Sequence, residues 1–285
     1  MVRRGAGHAE QVPEPTLSGH IVGTYFAATS TRTRTAFTAG ARRLGADVIS
    51  YSPADLQLNT GEGYGDTARV LGSMIDALVV RAPHDDECID GLAISPDLAI
   101  VNAMSASEHP TQAVSDLSCL HRRLGRHIGV QILYLGEGNN TASALIEAAV
   151  LTGGRVDLRT PPGYGLAPDL LASADARARR LGGHVSQQHD LADLPDDVDV
   201  IYTTRWETTG TQKDDPGWRS VFEPFRVSQA LLDRLPSALF MHDLPAHRGQ
   251  EVEAAVLDGP RSIAFEQATM KMWSAMAVLE WCLTA

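Results

Sequence analysis

The 285-residue chain has few of the features that mark secreted, membrane or nucleic-acid-binding proteins. Its three cysteines, Cys88, Cys119 and Cys282, are far apart and form no CxxC pair. This spacing argues against a disulfide framework or a thiolate metal site and favours a reducing cytoplasm. The formal net charge of −11 would repel nucleic acid and anionic membrane surfaces. An anionic ligand would therefore need a local cluster of basic residues.

Long apolar runs are also missing. No run approaches the ~18 residues that a membrane span requires, and the chain begins without the apolar segment of a secretory signal. We expect residues 1–18 to form a loose N-terminal tail. With 44% hydrophobic and 21% charged residues, the remainder has a globular composition and is long enough for two domains.

From residue 19 onward, short apolar runs alternate with longer amphipathic stretches. The expected strands are 20–26, 47–51, 77–81, 99–102, 131–135, 155–159, 199–202, 239–241 and 262–264. The expected helices are 34–44, 66–75, 111–123, 142–152, 168–181, 228–234, 250–256 and 267–283. This alternation is typical of α/β proteins and predicts two domains, each a parallel sheet flanked by helices.

A polar segment with two glycines, 122–129, separates a helix from a new strand and is the expected domain joint. We predict a first domain at 19–125, a second at 126–266, and a C-terminal helix at 267–285 that returns to the first domain. The segment 207–217 is rich in Thr, Gly and Asp and is expected to form a long surface loop.

Five consecutive polar residues, Ser30 to Arg34, follow the first expected strand and open a helix. A helix N-terminus presents free N–H groups and partial positive charge, which suits a phosphate group. The hydroxyls and guanidinium groups add further donors. The segment therefore predicts a phosphate-binding turn. The alternative is an ordinary helix cap followed by a solvated turn.

Two further candidates lie near the ends of expected strands. The segment His109-Pro110-Thr111-Gln112 is a fixed turn whose imidazole and amide could donate to a developing oxyanion and hold an NH2 group. Arg81 ends an apolar strand, at the edge where open α/β sheets bind ligands. A helix-capping histidine and a simple ion pair with Asp85, Asp86 or Glu87 are the alternatives.

Two other segments suggest different chemistry. Gly136 and Gly138, with Asp157 further on, begin a dinucleotide fingerprint, but Thr141 stands where that pattern needs Gly or Ala. His242, Asp243 and His247 suggest a metal site, yet the two histidines lack a helix-face spacing and no other segment supplies ligands.

Taken together, the segments from about Gly19 to the C-terminus resemble the aspartate/ornithine carbamoyltransferase family. Ser30 to Arg34 is similar to its carbamoyl-phosphate signature, His109 to Gln112 to its second signature, and Arg81 to its phosphate- and carbonyl-binding arginine. Glu62 and the segment 66–72 resemble the end of a loop that reaches a neighbouring subunit's site. The resemblance implies carbamoyl phosphate as donor, a homotrimer with shared sites, no cofactor and no metal.

The resemblance also implies a role for individual residues. The expected carbamoyl-phosphate-binding residues are Ser30, Thr31, Arg32, Thr33, Arg81, His109, Gln112, Leu244 and Lys271. Thr33, Arg81 and His109 would donate to the oxyanion. Asp243 stands where this chain departs from the family, and its carboxylate could act as a base. Gln57 and Thr60 would come from the neighbouring subunit. The expected amino-acid-binding residues are Asn140, Asp199, Thr203, Arg205 and Asp243.

The acceptor segment His242-Asp243-Leu244-Pro245 departs from both main branches, which have His-Cys-Leu-Pro or His-Pro-Leu-Pro. A carboxylate there favours a cationic amine, so we predict a diamino acid such as ornithine or 2,3-diaminopropionate. Thr203-Thr204-Arg205 looks more like the aspartate branch, which keeps aspartate as an alternative. Lys271 and Thr60 replace family residues, so a non-catalytic binding protein is a further alternative, beside a nicotinamide-dependent dehydrogenase.

Overall fold

Two parallel β-sheets, one from each half of the chain, form the framework of the protein. The structure is a computed structural model that describes residues 14–207 and 213–284. The strands are β1 (Ile21–Phe26), β2 (Asp47–Tyr51), β3 (Ala77–Arg81), β4 (Ala99–Met104), β5 (Gln131–Leu135), β6 (Arg155–Arg159), β7 (His184–Gln188), β8 (Val200–Thr203) and β9 (Leu239–His242). The first sheet has the order β2-β1-β3-β4 and the second the order β7-β6-β5-β8-β9.

Helices connect the strands and cover the sheets, as the alternation of the sequence predicted. They are α1 (Arg32–Arg43), α2 (Tyr64–Gly72), α3 (Asp86–Leu92), α4 (Pro110–Leu124), α5 (Asn140–Leu151), α6 (Pro168–Arg180), α7 (Trp218–Phe222), α8 (Gln229–Arg234), α9 (Ala254–Leu257) and α10 (Ala264–Thr284). Short 3-10 helices span Gln57–Thr60 and Glu223–Phe225. Within the described ranges, no helix has both the length and the apolar character to cross a membrane.

The central strand β3 shows how the first sheet places polar groups at one edge. Its five residues, Ala-Leu-Val-Val-Arg, are all buried because helices cover both faces of the sheet. Arg81 at its end pairs in register with Phe26 of β1 and Met104 of β4. The loops that follow β1, β3 and β4 therefore leave the sheet at a common edge, where α/β proteins bind ligands.

The C-terminal helix α10 returns to the first half of the chain, as predicted. It packs along α1 and α4, and its Met276 joins the apolar cluster that contains Phe37. Gly40 of α1 allows this close approach, because a Cβ there would lie 3.0 Å from the side chain of Met276. This packing carries Lys271 to the edge where β1, β3 and β4 end.

Several elements differ from the sequence-based expectation. Strand β7 was not predicted because its residues are mostly polar; one of its five residues is buried, and pairing with β6 defines it. The expected strand 262–264 forms only a bridge between Ser262 and Phe240, and α10 begins at Ala264. In the expected helix 250–256, only the part from Ala254 onward is helical.

The expected tail and loop fall partly on residues 1–13 and 208–212, which lie outside the described residues. Leu17 is fully buried in the apolar cluster that includes Val22 and Val79 of the first sheet, and its N–H donates to the carbonyl of Leu44. The domain division near residue 125 lies just after α4, where Gly125 adopts a left-handed conformation. That division stays a prediction.

Candidate active site

A cavity of about 270 Å³ lies between the carboxyl edges of the two sheets. It brings together residues as far apart in the sequence as Thr29 and Lys271, which are 242 positions from each other. The sequence-predicted site residues that line it are Ser30, Thr31, Arg32, Thr33, Arg81, His109, Gln112, Asn140, Arg205, Asp243, Leu244 and Lys271. The wall also includes Thr141 and Thr204, which the site prediction did not contain.

The phosphate-binding turn predicted at Ser30 to Arg34 forms the N-terminus of α1. No acidic residue stands in the first turn of this helix, so no carboxylate of that turn offsets the partial positive charge of its free N–H groups. The Arg32 guanidinium donates to the carbonyl oxygen of Leu244 at 2.5 Å and thereby joins the two halves of the chain across the cavity. Arg34 points elsewhere, with its guanidinium 4.7 Å from the centre of the Phe26 ring.

Arg81 and His109 supply two buried donors to the cavity. Arg81 is buried, its Nε has no partner among the described residues, and burial lowers its pKa to about 10, so it stays charged at neutral pH. Burial and the nearby charges of Lys271 and Arg81 lower the pKa of His109 well below its ordinary value. His109 is therefore neutral, and its imidazole can donate one N–H to a ligand oxygen.

Lys271 reaches the same cavity from α10. Burial lowers its pKa to about 8, against the opposing attraction of Asp243 and Asp116. The described part of the cavity wall thus holds four cationic side chains, Arg32, Arg81, Arg205 and Lys271, and one carboxylate, Asp243. This excess of positive charge suits a dianionic ligand in a protein whose net charge is −11.

Asp243 is held by two hydroxyl groups from other segments. Its Oδ1 accepts a hydrogen bond from Thr204 at 2.9 Å, and its Oδ2 accepts one from Thr141 at 3.2 Å. Burial opposes ionisation, but the imidazole of His242, whose Nδ1 lies 3.3 Å from Oδ1, holds the pKa of Asp243 below its ordinary value, with smaller contributions from the ammonium of Lys271 and the hydroxyl of Thr204. The result is a stable anion that faces the cavity.

Two further polar groups on the wall have atoms that pair with none of the residues described. Asn140 donates through Nδ2 to the carbonyl of Ser105 at 3.0 Å, while its buried Oδ1 accepts no hydrogen bond from residues 14–207 or 213–284. The Nε of Arg205 is likewise buried and has no hydrogen-bond partner among the described residues. Buried polar atoms of this kind are commonly completed by a ligand or by water.

Asp199 and Thr203 do not reach the cavity, and this corrects the expectation that they bind the amino acid. Asp199 precedes β8, at the opposite edge of the sheet, where it accepts hydrogen bonds from Arg126 at 2.6 Å and from the N–H of Gln131 at 2.9 Å. Thr203 is fully buried, and its hydroxyl donates to the carbonyl of Leu135 at 2.7 Å. Among the described residues of this segment, Thr204 and Arg205, which follow β8, line the cavity.

Gln57 and Thr60 also lie apart from this cavity. They share a 3-10 helix, where the Thr60 hydroxyl lies 3.0 Å from the side-chain oxygen of Gln57, and Thr60 is exposed to solvent. Their predicted role in a neighbouring subunit's site stays a prediction.

The two rival interpretations rest in part on Asp157, His242 and His247, and these three residues are engaged in structural contacts. Asp157 forms an ion pair with the buried Arg159, with 2.7 Å between Oδ1 and Nε, and does not line the cavity. The ring of His242 is fully buried; its Nδ1 accepts from the N–H of Leu244, and its Nε2 lies 3.3 Å from Glu251. His247 donates its backbone N–H to the same Glu251 carboxylate.

Thr141 and Thr204 were missed because their partner is remote in sequence. Thr141 was noted only as a departure from the dinucleotide pattern, and Thr204 only as part of a run before Arg205. The partner of both is Asp243, which lies 102 and 39 positions away respectively. No local pattern indicates such a contact.

Comparison with known proteins agrees with this arrangement. Residues 3–122 match the model of the aspartate/ornithine carbamoyltransferase carbamoyl-P binding domain, and residues 128–282 match that of the Asp/Orn binding domain. An ornithine carbamoyltransferase of Parafrankia sp. (strain EAN1pec) is 37% identical over 268 residues, covering 94% of this chain and 84% of the relative. One from Thermococcus kodakarensis is 36% identical, with 94% and 85% covered.

A solved structure shows the same likeness in three dimensions. The ornithine carbamoyltransferase from Pyrococcus furiosus superimposes with a TM-score of 0.88 at 34% identity, covering 95% of this chain and 87% of that one. The family expected from the Ser30–Arg34 and His109–Gln112 segments is confirmed, and the chain belongs to the aspartate/ornithine carbamoyltransferase family.

Proposed function

We propose that the protein transfers the carbamoyl group of carbamoyl phosphate to the side-chain amine of a diamino acid, ornithine or a shorter homologue, and releases phosphate. The observation that carries this proposal is the position of Asp243. Its carboxylate lines the same cavity as the phosphate-binding turn and is held there by Thr141 and Thr204.

For the donor, the helix N-terminus and the side chains of Ser30, Thr31, Arg32 and Thr33 would bind the phosphate group. Arg81 would bridge the phosphate and the carbonyl oxygen. Gln112 and the carbonyl of Leu244 would hold the carbamoyl NH2. The Leu244 carbonyl accepts from Arg32 here, so donor binding requires these two groups to share or exchange partners.

In the reaction, the neutral amine nitrogen attacks the carbamoyl carbon and forms a tetrahedral oxyanion. Thr33, Arg81 and the neutral imidazole of His109 would donate to this oxygen, and loss of one such donor typically costs about 3 kcal/mol. The bond from carbon to the phosphate oxygen then breaks, and phosphate leaves with the electron pair. No covalent intermediate with the protein is needed.

The acceptor's ammonium must lose a proton before it can attack. The low pKa of Asp243 suits a carboxylate that binds and orients the ammonium. The ammonium would release its first proton to solvent beside Asp243. The departing phosphate is a stronger base than such a carboxylate, so it would take the second proton, which the nitrogen carries after the attack. The Arg205 Nε would bind the acceptor's carboxylate, and the Asn140 Oδ1 its α-amine, since both atoms are buried without a partner in the described part of the chain.

Aspartate is a second candidate acceptor, which the excess of positive charge favours. A dianionic donor offsets two of the net three positive charges formed by Arg32, Arg81, Arg205, Lys271 and Asp243. One positive charge remains, and an anionic acceptor would neutralise it. We rank the diamino acid first because Asp243 stands in the cavity as an acceptor for an ammonium group.

We also propose that the enzyme is a cytoplasmic homotrimer whose sites receive Gln57 and Thr60 from a neighbouring subunit. The exposed apolar side chains of Val70 and Met74 on α2 and the turn after it, close in sequence to that segment, support an interface there. Sedimentation would give the assembly. Mixing refolded Arg32→Ala and Gln57→Ala chains should restore part of the activity if sites are shared, and no recovery would exclude sharing.

The function is tested by phosphate release from carbamoyl phosphate with a panel of amines, with the product identified by mass spectrometry. We expect turnover with ornithine or 2,3-diaminopropionate, and Asp243→Asn should raise the acceptor KM by more than about tenfold while the KM for carbamoyl phosphate changes little. Acceptance of aspartate alone would contradict the role of Asp243. No turnover with any amine would contradict the function.

A further inference from the structure

A fully buried carboxylate, Asp116 of α4, lies behind the cavity and accepts hydrogen bonds from three side chains. Its Oδ1 accepts from Nε2 of Gln112 at 2.7 Å and from Nε2 of Gln267 at 2.7 Å. Its Oδ2 accepts from the Tyr202 hydroxyl at 3.0 Å. Gln112, Gln267 and Tyr202 are themselves buried, so water does not compete for these bonds.

The chemistry of a carboxylate decides how the neighbouring amides are oriented. An ionised carboxylate only accepts hydrogen bonds, whereas a glutamine amide has an NH2 group at one end and a carbonyl oxygen at the other. Gln112 and Asp116 are four residues apart on one face of α4, so Asp116 takes the NH2 end of the Gln112 amide. The carbonyl oxygen Oε1 is then left for the cavity that Gln112 lines.

We propose that Asp116 is a positioning residue that sets the Gln112 amide with its carbonyl oxygen toward the donor's NH2 group. This inference rests on the proposed function, since it requires a carbamoyl NH2 in the cavity. An amide in the opposite orientation would present NH2 to NH2 and lose the hydrogen bond. Asp116 thus acts on the donor through Gln112 and does not touch it.

The same carboxylate also orients a group on the acceptor side. Because the NH2 end of Gln267 is directed to Asp116, its carbonyl oxygen accepts the backbone N–H of His242 at 2.9 Å. His242 directly precedes Asp243 and Leu244, which line the cavity. The buried carboxylate of Asp116 therefore fixes the orientation of Gln112, which would hold the donor. Through Gln267 it also supports the segment after His242, which would hold the acceptor.

The variant Asp116→Leu, of similar size, tests the proposal, because it removes both oxygens that accept hydrogen bonds from Gln112, Gln267 and Tyr202. We expect the KM for carbamoyl phosphate to rise at least about tenfold, the factor that loss of one hydrogen bond of ordinary strength produces. The Kd of inorganic phosphate, measured by calorimetry, should stay within about twofold, since the residues that would bind phosphate are unchanged. Tyr202→Phe is the matched comparison. It removes the hydrogen bond to the other oxygen of Asp116. It should lower stability, but it should not weaken the binding of carbamoyl phosphate relative to that of inorganic phosphate.

A double variant, Gln112→Glu with Asp116→Asn, reverses the polarity of the pair. In this variant the amide at position 116 donates to the carboxylate at position 112, whose second oxygen faces the cavity as an acceptor. We therefore expect the double variant to recover part of the lost carbamoyl-phosphate affinity. It also tests the proposal if Asp116→Leu alone does not fold.

Three results would overturn the inference: unchanged carbamoyl-phosphate affinity in Asp116→Leu, equal losses for both ligands, or a folded double variant that binds only phosphate. A wild-type protein that never releases phosphate from carbamoyl phosphate would instead overturn the proposed function.

Discussion

The hydroxyl of Thr204 donates a hydrogen bond to Oδ1 of Asp243 over 2.9 Å. The two residues directly follow the neighbouring parallel strands β8 and β9, whose last residues, Thr203 and His242, pair in register. This contact joins two loops at the acceptor side of the cavity. It also places Arg205, the next residue after Thr204, beside the only carboxylate that the described residues contribute to the cavity wall.

Removing the hydroxyls that hold Asp243 should weaken acceptor binding. Thr204→Val and Thr141→Val keep the shape of each side chain but leave one carboxylate oxygen without its donor. We expect each to raise the acceptor KM about fivefold, corresponding to roughly 1 kcal/mol for one hydrogen bond. Thr269→Val is the control, because that exposed hydroxyl bonds to the carbonyl of Phe265 in its own helix. Equal effects in all three variants would contradict the assignment.

Arg32 and Arg34 offer a matched pair of substitutions in one motif. Arg32 lines the cavity, whereas Arg34 stacks on the Phe26 ring. Arg32→Ala should lower kcat/KM by at least about a hundredfold, since it removes a charged donor worth on the order of 3 kcal/mol. Arg34→Ala should keep activity within about twofold and lose about 0.5–1 kcal/mol of stability. Phosphate release and thermal unfolding give both readouts, and an active Arg32→Ala variant would exclude its role in phosphate binding.

Asp199 should matter for stability and not for the acceptor. Asp199→Asn weakens the ion pair with Arg126 and the hydrogen bond from the backbone of Gln131. We expect a loss of about 1 kcal/mol in the free energy of unfolding, with an unchanged acceptor KM. Chemical denaturation and steady-state kinetics measure the two effects. A raised acceptor KM in a stable variant would restore the role that the sequence suggested.

The charge of Lys271 should make donor binding depend on pH. Burial lowers its pKa to about 8, and the charged groups that face it are Asp243, Asp116, Arg32 and Arg81, with neutral His109 nearby. The ammonium is therefore lost as the pH rises through about 8, and the KM for carbamoyl phosphate should rise there. Lys271→Arg keeps its charge at higher pH and should show a flatter profile. Identical profiles in the two proteins would exclude Lys271 as the titrating group.

As the pH rises, the stability of the protein should increase, whereas donor binding weakens. Because the pKa of Lys271 in the folded protein lies below its ordinary value of 10.5, the unfolded chain binds more protons between about pH 8 and that value. The free energy of unfolding therefore gains a contribution from this group as the pH rises through that interval, and loses it as the pH falls through about 8. Denaturation of the wild type and Lys271→Met at several pH values isolates this contribution.

Much of the fold was predictable because its signals are local. The strands β2, β3, β5 and β6 were predicted at the residues where they occur, since each is a short apolar or alternating run between polar turns. Strand β7 was missed because pairing with β6, and not its own polar residues, makes it a strand. The expected strand at 262–264 failed because Ala264 is taken into the long helix α10.

For the site, the sequence alone determined the family and indicated the residues that we propose bind the donor. Ser30 to Thr33 are contiguous, and His109 to Gln112 are too, so each carries a pattern within a few residues of chain. The tertiary structure alone decided which acceptor-side residues face the cavity: it brought in Thr204 and Thr141 and excluded Asp199 and Thr203. It also revealed Asp116, whose partner Gln267 is 151 positions away. Such contacts depend on how parallel strands and a returning helix meet at one edge, a relation that no stretch of sequence contains.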